Sequence, residues 1–184
     1  MLSLKLRTHS PVYRLTVQNV AVNANDIANP NLFVQQGENR SGGVEAEATG
    51  NILPNLSVSL SYAYCRAIIS KSTDQSLIGT IAENAPKNIS GSWIKYTFAK
   101  GALKGFGLMG GHSSLSSRNT LDPDVKLPGY VIFNGGTFYK HNHFKIAVNF
   151  NNITNKTYWT SAYNNVSKWP GAPANAMLNI GYTL

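Results

Sequence analysis

Few side chains in this sequence stand at spacings that chemistry could use. Glu45 and Glu47 are two residues apart, so on an extended chain both carboxylates point the same way. Such a pair could serve as general acid and base. The same two acids equally fit a polar sheet wall, with Arg14 on a neighbouring strand as partner. His141 and His143 flank one residue and could chelate a metal, but they also read as an exposed turn. Asp122-Pro123-Asp124 could hold calcium weakly, and acids around a proline are an ordinary turn. Cys65 is the only cysteine, which excludes an intrachain disulfide; it falls on a small-residue face, where an inert thiol is expected. Gly105 to Gly110 looks like a nucleotide fingerprint but lacks the strand-turn-helix setting that one needs. No motif places a Ser-His-Asp set or an activated nucleophile. The expectation is therefore no catalytic residue, no metal centre and no enzyme. What remains is a late aromatic group, Tyr158, Trp159, Tyr163 and Trp169, whose rings carry hydroxyl and indole N–H donors.

These residues hang on strands. Leu56, Val58, Leu60, Tyr62 and Tyr64 share one parity, and Ser57, Ser59, Ser61, Ala63 and Cys65 the other. A period of two marks a strand with one apolar and one polar face. Phe144, Ile146, Val148 and Phe150 repeat the pattern against Lys145, Ala147, Asn149 and Asn151. The preceding run, 130–140, is rich in β-branched and aromatic residues, and His141, Asn142 and His143 join the two as a hairpin. Alternation also begins at Tyr13 and runs through 36–51, 88–98, 105–116 and 174–184, poorly around Trp93. The count is about eight strands, and no useful helical period occurs. Residues 1–11 are expected to be irregular, because His9, Ser10 and Pro11 break any pattern.

Composition narrows the class. Only 13% of the 184 residues are charged, about half the usual share for soluble domains. No apolar run reaches the ~18 residues of a membrane-crossing helix; a β-barrel would not show one, since its apolar residues alternate with polar ones. The net charge is +8, which raises nucleic-acid binding. Against it, Lys5, Arg14, Arg40, Arg66, Lys95, Lys104, Lys145 and Lys168 are scattered along the chain, and no nucleic-acid partner is expected. No secretory signal is legible in Met1 to Arg7.

The connections alternate in length. Short ones lie near 53–55, 99–104 and 141–143; long ones lie near 22–35, 67–87, 117–128 and 153–173. Outer-membrane barrels have short periplasmic turns and longer extracellular loops. The strands, at about 9–12 residues, match the ~9–11 that cross a tilted bilayer path.

The segment Leu127-Pro128-Gly129-Tyr130, a strand, a short turn, a strand and then Asn151-Asn152-Ile153-Thr154-Asn155-Lys156-Thr157-Tyr158 resembles the C-terminal end of TonB-dependent outer-membrane receptors, in particular the ferric hydroxamate class. Two positions depart from that pattern: Leu184, where such barrels usually end in an aromatic, and Asn134, where many relatives carry Asp. The resemblance implies an all-β fold, an antiparallel transmembrane β-barrel segment of about 8 strands out of about 22. Residues 12–184 would be the C-terminal part of the barrel, without the plug domain or the TonB-engaging segment. It further implies a bacterial outer-membrane location, contact with outer-membrane lipid, and a ferric siderophore as transported ligand with no resident cofactor. The energy-coupling protein TonB would engage only through the part not present here. Such a fragment is expected not to transport alone. Tyr158, Trp159, Tyr163 and Trp169 would be the ligand contacts, although Tyr158 and Trp159 also sit where an aromatic girdle is expected. Two alternatives stay open on the residues themselves: a self-contained eight-stranded structural or adhesin barrel, in which the first strand pairs with the last, and a soluble β-sandwich binding module that buries the Leu56–Tyr64 face.

Overall fold

The computed structural model describes residues 5–120, 122 and 124–183. The terminal Leu184, and Pro123 of the turn weighed for calcium, lie outside the described residues. In chain order the elements are β1 (Lys5–His9), β2 (Val12–Asn23), β3 (Phe33–Leu53), β4 (Leu56–Lys71), a single 3-10 turn (Gln75–Leu77), β5 (Asn88–Thr97), β6 (Phe106–Leu115), β7 (Arg118–Asn119), β8 (Lys126–Leu127), β9 (Tyr130–His141), β10 (Phe144–Asn151), β11 (Trp159–Ala162), β12 (Lys168–Pro170) and β13 (Asn175–Tyr182). The main sheet is antiparallel throughout, in the order β1, β3, β4, β5, β6, β9, β10, β13, with β2 pairing further along β3.

The alternating runs become strands, with two differences. Residues 5–9, expected to be irregular, form β1, paired from Lys5↔Asn51 to His9↔Glu47. β1 and β2 lie end to end along β3, and the break falls at Ser10 and Pro11. Pro11 has no N–H to offer a ladder, but its carbonyl still accepts from Glu45 N at 3.0 Å. The second difference is length. β3 has 21 residues and β4 has 16, well beyond the ~9–11 that cross a bilayer, so this hairpin extends past one edge of the wall.

Register assigns every strand to two faces. Val58, Leu60 and Tyr62 of β4 share a face with Gly50, Ala48 and Ala46 of β3. On the far side of the sheet Phe144, Ile146 and Val148 share that face with Tyr182, Ile180 and Leu178. The opposite face carries Glu45, Glu47 and Thr49 beside Ala63, Ser61 and Ser59, and Lys145, Ala147 and Asn149 further along. The apolar face is uncovered: Leu60, Ile146 and Ile180 are 48%, 44% and 69% exposed. Among the described residues no second sheet packs on it, since the other two sheets are the two-stranded ribbons β7–β8 and β11–β12. That overturns the soluble sandwich. Among the described residues β13 pairs only with β10, and β1 and β2 only with β3, so the barrel is not closed and the self-contained eight-stranded alternative fails as well.

The alternation inverts locally on β5 and β6, which explains the weak pattern near Trp93. Ser90 and Ser92 fall on the apolar face opposite Ser114 and His112. They satisfy one another there: Ser90 Oγ lies 2.7 Å from Ser114 Oγ, and Ser92 Oγ 2.7 Å from His112 Nδ1. Arg14, the expected partner of Glu45 and Glu47, pairs in register with Gly42 and so points to the other face. Glu47 instead accepts from Thr49 Oγ1 at 3.3 Å, and His9 stands opposite it.

One end of the sheet carries tight turns, including Asn142 at φ 48°, a value that a hairpin turn asks for and asparagine tolerates. The other end carries every long connection: 24–32, 72–87, 116–129 and 152–174.

Candidate functional site

The loop end is where the late aromatic group sits, and its construction begins at the close of β10. Asn152 adopts φ 49° and is 2% exposed. Its Nδ2 donates to Lys156 O at 2.9 Å and to Ala172 O at 3.0 Å, while its Oδ1 accepts from Lys156 N at 2.8 Å. Its own N–H donates to Asn134 Oδ1 at 2.9 Å. Asn134 thus keeps the acceptor oxygen that an aspartate would offer. Asn155, at φ 49°, accepts from Ala174 N at 2.9 Å. The run Asn151 to Tyr158 is therefore a clamp that joins the start of the last loop to its end. A short amide side chain suits this work, because it tolerates positive φ and offers both donor and acceptor.

Beyond the clamp, Tyr158 packs over Tyr130 with ring centroids 4.5 Å apart and planes tilted by 45°. It also lies flat on Gly171, where an added Cβ would stand 2.0 Å from the ring. β11 and β12 then form a ribbon that pairs Trp159 with Pro170 and Ser161 with Trp169. The ribbon is tied down from two other loops. Arg118, 4% exposed, donates from Nη1 to Thr160 O and from Nη2 to Trp159 O, each at 2.6 Å. Its guanidinium carbon lies 5.8 Å from the centre of the Tyr130 ring, and its Nε has no protein partner. Asn84 makes a two-point contact across 78 residues, donating to Ala162 O at 3.0 Å and accepting from Ala162 N at 3.2 Å. Leu127, 1% exposed, lies in the short ribbon β7–β8 that carries Arg118.

The four expected ligand residues separate into two pairs. Tyr158 and Trp159 are half-buried and hold the loops together, with Lys168 Nζ placed 5.8 Å over the Trp159 ring. Tyr163 and Trp169 are 58% and 54% exposed and stand free on the ribbon. Arg118, Asn84, Tyr130 and Asn152 shape the site and carried no local signal as site residues, because their partners lie far away in sequence. Cations with lone N–H donors and exposed aromatic rings can bind an uncharged or anionic chelate by hydrogen bonding and stacking.

The opposite face of the wall holds a second concave region. Lys95, Met109, Phe138, Lys145, Ala147 and Asn149 line a hollow of about 410 Å³. Phe138 is buried against Gly107, and Lys95 Nζ lies 4.8 Å over its ring.

With this geometry in hand, the comparisons are informative. Residues 12–153 match the family described as TonB dependent receptor-like, beta-barrel. The metal-pseudopaline receptor CntO of Pseudomonas aeruginosa is 28% identical over 159 residues, covering 84% of this chain and 22% of the relative. The ferrichrome outer membrane transporter/phage receptor of Escherichia coli K12 is 29% identical over 170 residues, covering 88% of this chain and 22% of that protein. Among solved structures, the siderophore receptor PiuA from Acinetobacter baumannii superposes with a TM-score of 0.81 at 23% identity, over 96% of this chain and 26% of that one. The chain thus spans roughly a fifth of the length of these two curated relatives.

Proposed function

This chain belongs to the TonB dependent receptor-like β-barrel family, and from that premise we propose that it is the C-terminal part of a bacterial outer-membrane receptor for ferric siderophores. The family consists of receptors and transporters, not enzymes. The observation that carries the reading is the sheet itself: one uncovered apolar face, one polar face, and every long loop at one end. Such a wall suits lipid on one side and a polar lumen on the other. The loops then lie outside the cell, and Tyr163 and Trp169 offer aromatic surface with O–H and N–H donors to an iron chelate. Tyr158 and Trp159 act behind them, by fixing the ribbon. TonB would act on the complete receptor through its plug-bearing part, and the polar hollow around Lys95 and Lys145 would face that plug.

Transport requires a closed barrel around a gated lumen. This sheet ends in unpaired edges at β13 and at β1–β2 among the described residues. The expected result is that purified chain, folded in detergent, neither quenches its tryptophan fluorescence with a ferric trihydroxamate nor restores iron uptake to a receptor-deficient strain. Restored uptake by this chain alone would overturn the reading of it as one part of a receptor. In the receptor completed with its remaining strands, Trp169→Ala together with Tyr163→Ala should weaken chelate binding about tenfold, on the scale of an aromatic contact residue. Unchanged affinity would remove these two residues from the site.

A further inference from the structure

The β2–β3–β4 extension shows an abrupt change of character on the lipid-side face. The row Val12, Val44 and Tyr64 is the last apolar one. The next row on the same face reads Arg14, Gly42 and Arg66, and the row after it Thr16, Arg40 and Ile68. Successive same-face rows lie about 7 Å apart along a strand. Three guanidinium groups from three adjacent strands therefore gather within two rows of the apolar edge. Gly42 leaves the floor between Arg14 and Arg66 open, and a depression of about 380 Å³ is lined by Arg14, Arg40, Gly42, Arg66 and Ile68.

Charge on this patch is unbalanced. Glu38 is the acid on this face, and it is already engaged by Arg40 Nε at 2.8 Å and Lys71 Nζ at 2.9 Å. Arg14 and Arg66 form no ion pair among the described residues and are exposed. The acids Glu45 and Glu47 lie on the opposite face. Tyr62 and Tyr64 stand just below the patch, at the level where a membrane barrel places its interfacial aromatic ring.

We propose that Arg14, Arg40 and Arg66 form a binding site for the phosphate of an anionic lipid in the leaflet on the loop side, with the acyl chains lying along Val12, Val44 and Tyr64. Guanidinium groups match phosphate oxygens two at a time, which a lone lysine cannot do. Three of them directly above an apolar band recognise a molecule that is anionic at one end and hydrocarbon at the other. The inference rests on the membrane placement above.

The test uses the receptor completed with its remaining strands, folded into phosphatidylcholine vesicles doped with a minor share of phosphatidylglycerol. Insertion is read from heat-modifiable gel mobility, and retained lipid by native mass spectrometry after gentle extraction. The expected result is about tenfold enrichment of phosphatidylglycerol over its bulk share, lost when Arg14→Gln, Arg40→Gln and Arg66→Gln are combined. Lys100→Gln with Lys104→Gln, on the turn end, should leave the enrichment in place. Three results overturn the inference: an inserted receptor with no enrichment, an inserted triple variant that keeps it, or complete displacement of the lipid by inorganic phosphate alone. A completed receptor that fails to insert at all overturns the membrane placement, and the lipid site with it.

Discussion

The wall and the loop end of this molecule are stabilised by different means. The wall is a single sheet whose strands, its two edges apart, satisfy one another's ladder bonds but whose apolar side chains are left bare: Leu60, Ile146, Leu178 and Ile180 are all more than two-fifths exposed. The loop end is closed. Leu127, Ala162, Asn152, Arg118 and Thr120 are each less than a tenth exposed; Arg118 donates to backbone carbonyls of another loop, and Thr120 and Asn152 donate to carbonyls of their own. On the membrane placement proposed above, the wall hands its hydrophobic burial to surrounding hydrocarbon. The loop end carries its own small interior, built mostly from polar contacts, and behaves as a structure in water would.

The largest effect should come from charging the wall. Leu60→Arg or Ile146→Arg places a guanidinium in hydrocarbon, at a cost of ~2–4 kcal/mol near the midplane. Urea titration of folding into lipid vesicles should show that loss for either variant. Asn149→Arg, three residues along the same strand on the polar face, should change folding little. Equal losses at Asn149 and Ile146 would erase the distinction between the faces.

A smaller effect is expected at the loop end, and it should stay there. Arg118→Ala removes both bonds to the β11 carbonyls, at a cost of ~1–3 kcal/mol for polar groups left without partners. Limited proteolysis should then cut within 153–173 far faster, while gel mobility and sheet circular dichroism hold. Collapse of the sheet in this variant would show that the two regions are one cooperative unit.

The smallest effect concerns the joint between them. Glu38 lies in the part of β3 beyond the last apolar row. The Lys71 ammonium first, then the Ser70 hydroxyl and the Arg40 guanidinium, hold its carboxyl down to about 2 from the ordinary 4.5. A depressed carboxylate stabilises the folded form above its ordinary value and loses that contribution as pH falls toward the folded one. Pepsin should therefore cut the β3–β4 extension more readily as pH drops from about 4.5 to about 2. The wild-type cutting rate, divided by that of Glu38→Gln to cancel pepsin's own pH dependence, should rise across this window. A ratio that stays constant would show that Glu38 does not anchor the extension.

Much of the wall was legible in the sequence, because a strand's faces are set by residues two apart. The runs at 56–65 and 144–150 needed no partner to be read. The hairpin through Asn142 and the alternation of short and long connections followed from the same local signals. β1 was missed because Pro11 interrupts the pattern, although the chain continues along β3 on either side of it. β7, β8, β11 and β12, at two to four residues each, are too short to show any period. Of the four aromatic candidates, position just past a strand marked Tyr158 and Trp159 for a structural role as well, but nothing local showed what they would pack against. That depends on Gly171, Tyr130 and Arg118, which reach them only in the folded chain.

What the amino-acid order determined unaided is the wall: its strands, its two faces and which end bears the loops, all of them consequences of local periodicity. Tertiary structure decided the rest. Asn84 meets Ala162 across 78 residues. Arg14, Arg40 and Arg66, which look scattered along the chain, become neighbours through strand register alone. A register shifted by one residue would leave every local pattern intact and send one of those arginines to the other face, so no reading of single strands could have assembled them.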